Sequence, residues 1–160
     1  MRLYHGSNVS VPHPRILSDR RAMDFGSGFY LTSDRSQAIK WAQIKTRRTG
    51  IGKAMVSVFQ MDDKAFNKLS ILSFLEPDKE WLAYVSTNRR DKYRTDDFDI
   101  VIGPVANDRT MPTINLYLRG YITEDMAIEL LLPQKLKDQY CFKTEKSLSF
   151  IKFEEAVTYD

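Results

Sequence analysis

The sequence is poor in the residues on which several common chemistries depend. It has one cysteine, Cys141, so no intramolecular disulfide can form, and with only His5 and His13 beside it there is no Cys-His zinc cluster. It contains no His-Glu-x-x-His, no Gly-x-Ser-x-Gly elbow and no phosphate loop, and no metal is expected. No apolar run approaches the roughly 18 residues of a membrane span, and the start of the chain, Met1-Arg2-Leu3-Tyr4-His5, lacks the apolar stretch of a secretory signal. The expected setting is therefore a reducing cytoplasm without membrane attachment. An excess of charge is also missing. Against 24 Lys and Arg stand 21 Asp and Glu, a net charge of +3 that does not imply nucleic-acid binding by itself.

What is present is the composition of one ordinary domain, 42% hydrophobic and 28% charged over residues 1–160. A chain of this length buries roughly two-thirds of its unfolded surface and needs no staple. The charge is unevenly spread. Residues 1–50 carry nine basic and three acidic side chains, whereas 51–100 carry eight and nine, and 101–160 carry seven and nine. An anionic ligand would be drawn to the first third; a solvated basic face is the plainer explanation.

The pattern of apolar residues and breakers predicts a mixed fold. Met1–Tyr4 reads as a short strand ending at His5-Gly6-Ser7, where glycine permits close approach of a backbone or a ligand. Residues 8–27, with Pro12, Pro14 and Gly26, read as a long loop of the kind that usually serves a site. Strands are expected at Phe29–Thr32, Ala54–Met61, Leu69–Phe74, Phe98–Pro104, Gln139–Phe142 and near 150–157. Helices are expected at about 35–47, capped by Ser33 or Asp34, from Pro77 through Trp81, Leu82, Tyr84 and Val85, in two pieces over 111–131 broken at Gly120, and at 144–149. The order lacks a regular βαβ alternation, so the class is α+β.

Three polar or aromatic residues stand out within these strands: His5, Tyr30 and Gln139. Taken singly, each is ordinary: a hydrogen-bonded histidine, a core tyrosine and a solvated glutamine. Asp24-Phe25-Gly26-Ser27-Gly28 precedes a strand, which is the wrong context for a dinucleotide fingerprint. Taken together, Leu3-Tyr4-His5-Gly6-Ser7, Gly26-Ser27-Gly28-Phe29-Tyr30-Leu31-Thr32 and Gln37-Ala38-Ile39-Lys40-Trp41-Ala42 resemble the N-terminal half of ADP-ribosyltransferase-superfamily domains. The likeness, in particular to a little-characterised bacterial domain family placed in that superfamily, continues through Trp81-Leu82, Asn88-Arg89, Asp99–Asp108, Thr113–Gly120 and Gln139–Lys146.

The resemblance implies a split, strongly bent β-core with helices around a cleft that binds NAD as substrate, and transfer of ADP-ribose to a cytosolic acceptor with release of nicotinamide. A role as a bacterial toxin or defence effector is expected with it, while the acceptor, which includes water and so NAD hydrolysis, and restraint by an antitoxin protein stay open. By position, His5 would bond the adenine-side ribose, the Gly6 backbone would meet the nicotinamide carboxamide, and Tyr30 would stack on the nicotinamide ring. Ser7, Asp24, Gly26 and Gly28 would lie against the ligand, and Arg20 and Arg21 would suit its pyrophosphate.

The third position departs from the superfamily, since Gln139 stands where its catalytic glutamate is expected. An amide can hold a ribose hydroxyl but cannot supply charge to an oxocarbenium-like centre. Either a nearby carboxylate such as Glu80, Asp99, Asp108 or Glu145 contributes that charge, or the domain binds NAD or ADP-ribose without efficient transfer. Glu80 near a helix start is equally a partner of the helix dipole. Cys141 reads as a small buried hydrophobe. A third possibility is an RNA-directed toxin using His5 or His13 as general acid-base.

Overall fold

The computed structural model describes residues 1–17 and 23–160. Arg20 and Arg21 lie outside the described residues. The elements run β1 Arg2–Ser7, β2 Phe29–Leu31, α1 Arg35–Thr49, β3 Ala54–Met61, α2 Ala65–Lys68, β4 Ile71–Ser73, α3 Lys79–Arg90, β5 Ile100–Pro104, α4 Met111–Leu118, α5 Glu124–Leu131, β6 Asp138–Phe142, α6 Glu145–Leu148 and β7 Ile151–Tyr159. The class is α+β. None of the described helices is long and apolar enough to cross a membrane.

The strands form two sheets. One is antiparallel, in the order β1-β3-β7; the other, in the order β2-β6-β5-β4, is antiparallel except for the parallel pair β4 and β5. β1 and β2 are edge strands, and the two edges meet. Tyr4 N–H donates to Thr32 O at 2.8 Å and Thr32 N–H to Tyr4 O at 2.9 Å, an antiparallel bridge that joins one sheet to the other.

Alternation along the strands divides the interior into three clusters. Leu3 and Phe59 from the first sheet pack with Phe29, Leu31, Ile100, Tyr140 and Phe142 from the second, which fills the space between them. The intervening residues Tyr30, Val101 and Cys141 turn to the opposite face of the second sheet, where Trp81, Leu82, Val85, Ile114, Ala127 and Leu131 of α3, α4 and α5 cover them. On the outer face of the first sheet, Ala38 and Ala42 of α1 pack on Val56 and Val58.

Local chemistry sets the helix ends. Asp34 accepts from Gln37 N–H at 2.9 Å, and Gly50, at φ 67°, ends α1 with its N–H on Thr46 O. α3 begins later than Pro77: Asp78 caps it by accepting from Trp81 N–H at 3.0 Å, and the proline sits one residue ahead of that cap. Thr123 caps α5 through Met126 N–H at 3.2 Å. The one-turn α2 has no side-chain cap bond and is too short to show periodicity, which explains why no sequence signal marks it.

α1 approaches β1 so closely that only glycine fits between them. A Cβ on Gly6 would lie 2.0 Å from Ala38 O and 2.8 Å from Ala42 N, both backbone atoms with no freedom to retreat. Gly6→Ala should therefore cost about 3 kcal/mol or more of stability, measurable from urea unfolding, with the fold otherwise unchanged in far-UV circular dichroism.

Candidate functional site

The seam between the two edge strands opens into a cavity of about 320 Å³. Its walls come from β1 (His5, Gly6), the segment before β2 (Met23, Asp24), β2 (Tyr30), α1 (Trp41, Ile44, Lys45, Arg48), α3 (Arg89), the turn after β5 (Val105, Ala106) and β6 (Gln139). His5, Tyr30 and Gln139, separated by 25 and 109 positions in sequence, thus share one wall. Gly6 and Asp24 join them.

An adjoining cavity of about 640 Å³ shares His5, Met23, Tyr30, Lys45 and Arg48 with the first. Ser7, Gly26 and Gly28 border this second space, with His13 and Arg15. It has three cationic side chains among its described lining residues and no carboxylate. On the other side, a cavity of about 600 Å³ shares Trp41, Ile44, Val105 and Ala106 with the first and is bordered by Lys40, Asp108, Lys135 and Lys137. Glu80 joins none of the three. It is exposed in the first turn of α3, and only the later turns of that helix, at Arg89, reach the cleft. Asp99 accepts from Ser70 N–H and Thr144 Oγ1 at 2.9 and 2.7 Å, a bracing role, and Glu145 is exposed at the start of α6.

His5 is held in one protonation state. Its Nδ1 lies 2.7 Å from Tyr30 O, and because a carbonyl only accepts, Nδ1 carries the proton and Nε2 keeps a lone pair. The ring stacks on Phe29 with centroids 4.3 Å apart. Burial, aided by the Lys45 charge and opposed by the bond to Tyr30 O, lowers its pKa to about 4. At neutral pH it is an acceptor toward the cleft and unsuited to act as a general acid, which weighs against an RNA-cleaving role for this residue.

The Tyr30 hydroxyl is spent on the loop beside it. It donates to Gly26 O at 2.5 Å and accepts from Phe25 N–H at 3.1 Å. Burial raises its pKa well above the ordinary phenol value, so the phenol stays protonated, and with its hydroxyl engaged the ring is what Tyr30 adds to the cavity lining. Burial likewise pushes the Cys141 thiol up to about 12, and it packs as a hydrophobe.

Among the described residues that line the first cavity, Asp24 is the carboxylate. It is 6% exposed. Arg89 Nε donates to its Oδ1 at 2.7 Å, while Gln139 Nε2 and Ala106 N–H approach its Oδ2, each at 3.4 Å. Asn88 Nδ2 donates to Asp24 O at 3.1 Å, and Lys143 Nζ donates to Phe25 O. Arg94, Tyr84 and Lys143 gather around Asp96 behind this loop. Gly26, at φ 80°, makes the turn between these anchors. Gly28 serves packing: a Cβ there would fall 2.5 Å from Cys141 Sγ and 2.7 Å from Phe142 O.

Several wall residues have no separate functional signal in the sequence. Lys45 shows only as helical periodicity, and Trp41 and Arg89 fall within stretches that carry the resemblance but with no role attached, until α1 and α3 are seen to bring them to the cavity and Arg89 to Asp24. Arg48 complements the α1 dipole and also borders two of the cavities.

A model of the family described as "Protein of unknown function (DUF3990)" matches residues 1–153. No curated protein and no solved structure matches the chain.

The low pKa of His5 makes stability depend on pH. Unfolded His5 takes up a proton near pH 6.5, whereas the folded ring resists until about 4. Its contribution is complete above pH 6.5 and lost progressively as pH falls toward 4, to a total of roughly 3 kcal/mol. Urea midpoints between pH 7.5 and 4.5 should fall more steeply for the wild type than for His5→Gln, and the His5 ring protons should titrate with a midpoint near 4.

Proposed function

The chain belongs to the DUF3990 family, and we propose that its cleft binds NAD and transfers the ADP-ribose part to an acceptor, with release of nicotinamide. The observation that carries this reading is the convergence of His5, Tyr30 and Gln139, from β1, β2 and β6 of two different sheets, on one cavity at the seam between them. Those are the three positions that the ADP-ribosyltransferase resemblance singles out, and two sheets meeting at the Tyr4–Thr32 bridge support the split β-core that it implies.

In this reading each residue does what its chemistry allows. His5 Nε2, lacking a proton, accepts from a ribose hydroxyl. The Tyr30 ring packs against the nicotinamide, and its tethered hydroxyl holds the ring at the required tilt. The cavity lined by Arg15, Lys45 and Arg48 takes the pyrophosphate and adenosine, since it carries cations and no described carboxylate. The acceptor reaches the ribose from the opposite arm, past Trp41 and Lys40. The bond from ribose C1′ to the nicotinamide nitrogen breaks with its electron pair leaving on nicotinamide, which departs neutral and needs no general acid. The acceptor then bonds to C1′ and loses its proton. Orientation in a closed cleft supplies much of the acceleration such a step needs. An effector role against a cytosolic target, restrained by an antitoxin protein, fits this chemistry, and water as acceptor would make the same site an NAD hydrolase.

Gln139 supports a second reading, a module that binds NAD or ADP-ribose and transfers slowly, because an amide adds no charge at the ribose. Nicotinamide release from NAD separates the two, since a binding module would show only thermal stabilisation by the ligand.

Release should fall by about two orders of magnitude in His5→Ala and Tyr30→Ala proteins that retain their melting transitions. Tyr30→Phe should keep activity within about tenfold, because the hydroxyl bonds the loop and the ring meets the ligand. Equal release by all four proteins would reject the assignment of the site.

A further inference from the structure

Building on the NAD reading, we infer that Asp24 is the positioning residue of this cleft: its carboxylate turns the Gln139 amide so that Oε1 faces the ribose, and it places in the loop before β2 the negative charge that β6 lacks.

A carboxylate offers only acceptors to its neighbours. Asp24 takes donors from Arg89 and Ala106 N–H, and the Gln139 atom that completes this set at 3.4 Å from Oδ2 is Nε2, which leaves Oε1 on the other branch of the amide. Gln139 is 3% exposed and lies in the cavity wall, so its amide has no freedom to exchange the two ends without placing an oxygen against Asp24. The surroundings allow no other arrangement of Asp24 itself. Arg89 Nε occupies Oδ1 at 2.7 Å, Ala106 N–H approaches Oδ2, and Asn88 holds the Asp24 carbonyl.

Such a glutamine offers the ligand what one oxygen of a glutamate would, an acceptor for a ribose hydroxyl. The charge sits one residue further back. Arg89 is 25% exposed, bonds Oδ1 and itself borders the cavity, so the charge that Asp24 places here is carried within an ion pair. Glu80, Asp99 and Glu145 do not border the cavity, and Asp108 borders only the neighbouring one, so among the described residues Asp24 is the carboxylate that lines it.

An isosteric exchange tests the inference. In Asp24→Asn, with the new amide oxygen kept on Arg89, its nitrogen meets Gln139 Nε2, a donor against a donor; Gln139 regains a bond there by turning over, which presents its nitrogen rather than its oxygen to the ribose. The double variant Asp24→Asn with Gln139→Glu reverses the pair. The amide oxygen introduced at position 24 still accepts from Arg89, and the amide nitrogen beside it donates to the carboxylate introduced at position 139. That exchange moves the charge by one residue and costs the Ala106 N–H its acceptor. Gln139→Glu alone places two carboxylates in contact.

With NAD as the probe, Asp24→Asn should lower kcat for nicotinamide release by about a hundredfold while KM stays within about threefold, and the double variant should recover at least about tenfold of that loss. A readout independent of activity is the Gln139 side-chain amide in nitrogen-15 NMR, assigned by its disappearance in Gln139→Glu. Slow exchange of that amide in wild type, lost in Asp24→Asn, supports the orientation; fast exchange in both overturns it. If wild type is active and Asp24→Asn matches it with an equal melting temperature, the inference falls and the NAD reading stands. If wild type releases no nicotinamide, the transfer reading and the inferred contribution to it both fall, and the amide signal still decides the orientation.

Discussion

The cleft depends on a pair of backbone hydrogen bonds between Tyr4 and Thr32. Two sheets that share the core between them are also tied through this bridge, and the His5 and Tyr30 side of the site lies beside it. His5 follows Tyr4 and Tyr30 precedes Thr32 by two residues, so the bond from His5 Nδ1 to Tyr30 O continues the same suture with a side chain. The core between the sheets, built on Leu3, Phe29, Leu31, Phe59 and Phe142, flanks the bridge, and Thr32 is fully buried. In that setting the exchange of strand-edge groups for solvent is costly, which stiffens the seam where a ligand would press.

The opposite wall is built by a different device. The segment from Met23 to Gly28 has little apolar content apart from Phe25, and it is held by its carbonyls: Asn88 takes that of Asp24, Lys143 that of Phe25 and Tyr30 that of Gly26. Phe25 is fully buried against Tyr84 and Phe74. A loop tied by its main chain leaves its side chains available, and Asp24 can therefore face Gln139 and Arg89. The ionic and polar groups of Tyr84, Arg94, Asp96 and Lys143 stand behind it as support.

Much of the fold is legible in the residues. Alternation marks β3 at Ala54–Met61 in full, Asp34 and Thr123 announce the helices they cap, and Gly120 separates α4 from α5. The start of α3 is less plain, because proline tolerates a first turn and draws the expected boundary to Pro77, while Asp78 actually supplies the cap. In the site, His5, Tyr30, Gln139 and Asp24 are legible as positions. Glu80 suggests itself because it shares a helical stripe with Tyr84 and Asn88, yet the helix reaches the cleft only at its later turns. Arg89 and Trp41 give no sign of their placement, since a basic residue at a helix end and an aromatic on a helix face ordinarily serve the dipole and the core.

Local interactions between near neighbours are written in order along the chain, so the sequence by itself determined the α+β class, most element boundaries and the caps. The positive first third is equally a matter of composition. Which groups face one another across the seam was decided only by tertiary structure. The bond between Gln139 and Asp24 spans 115 positions and the salt bridge of Arg89 to Asp24 spans 65, and no spacing rule links residues so far apart. Their meeting depends on two edge strands, one helix and one loop being packed at once, and that packing turns an amide in a strand and an aspartate in a loop into a single polar unit.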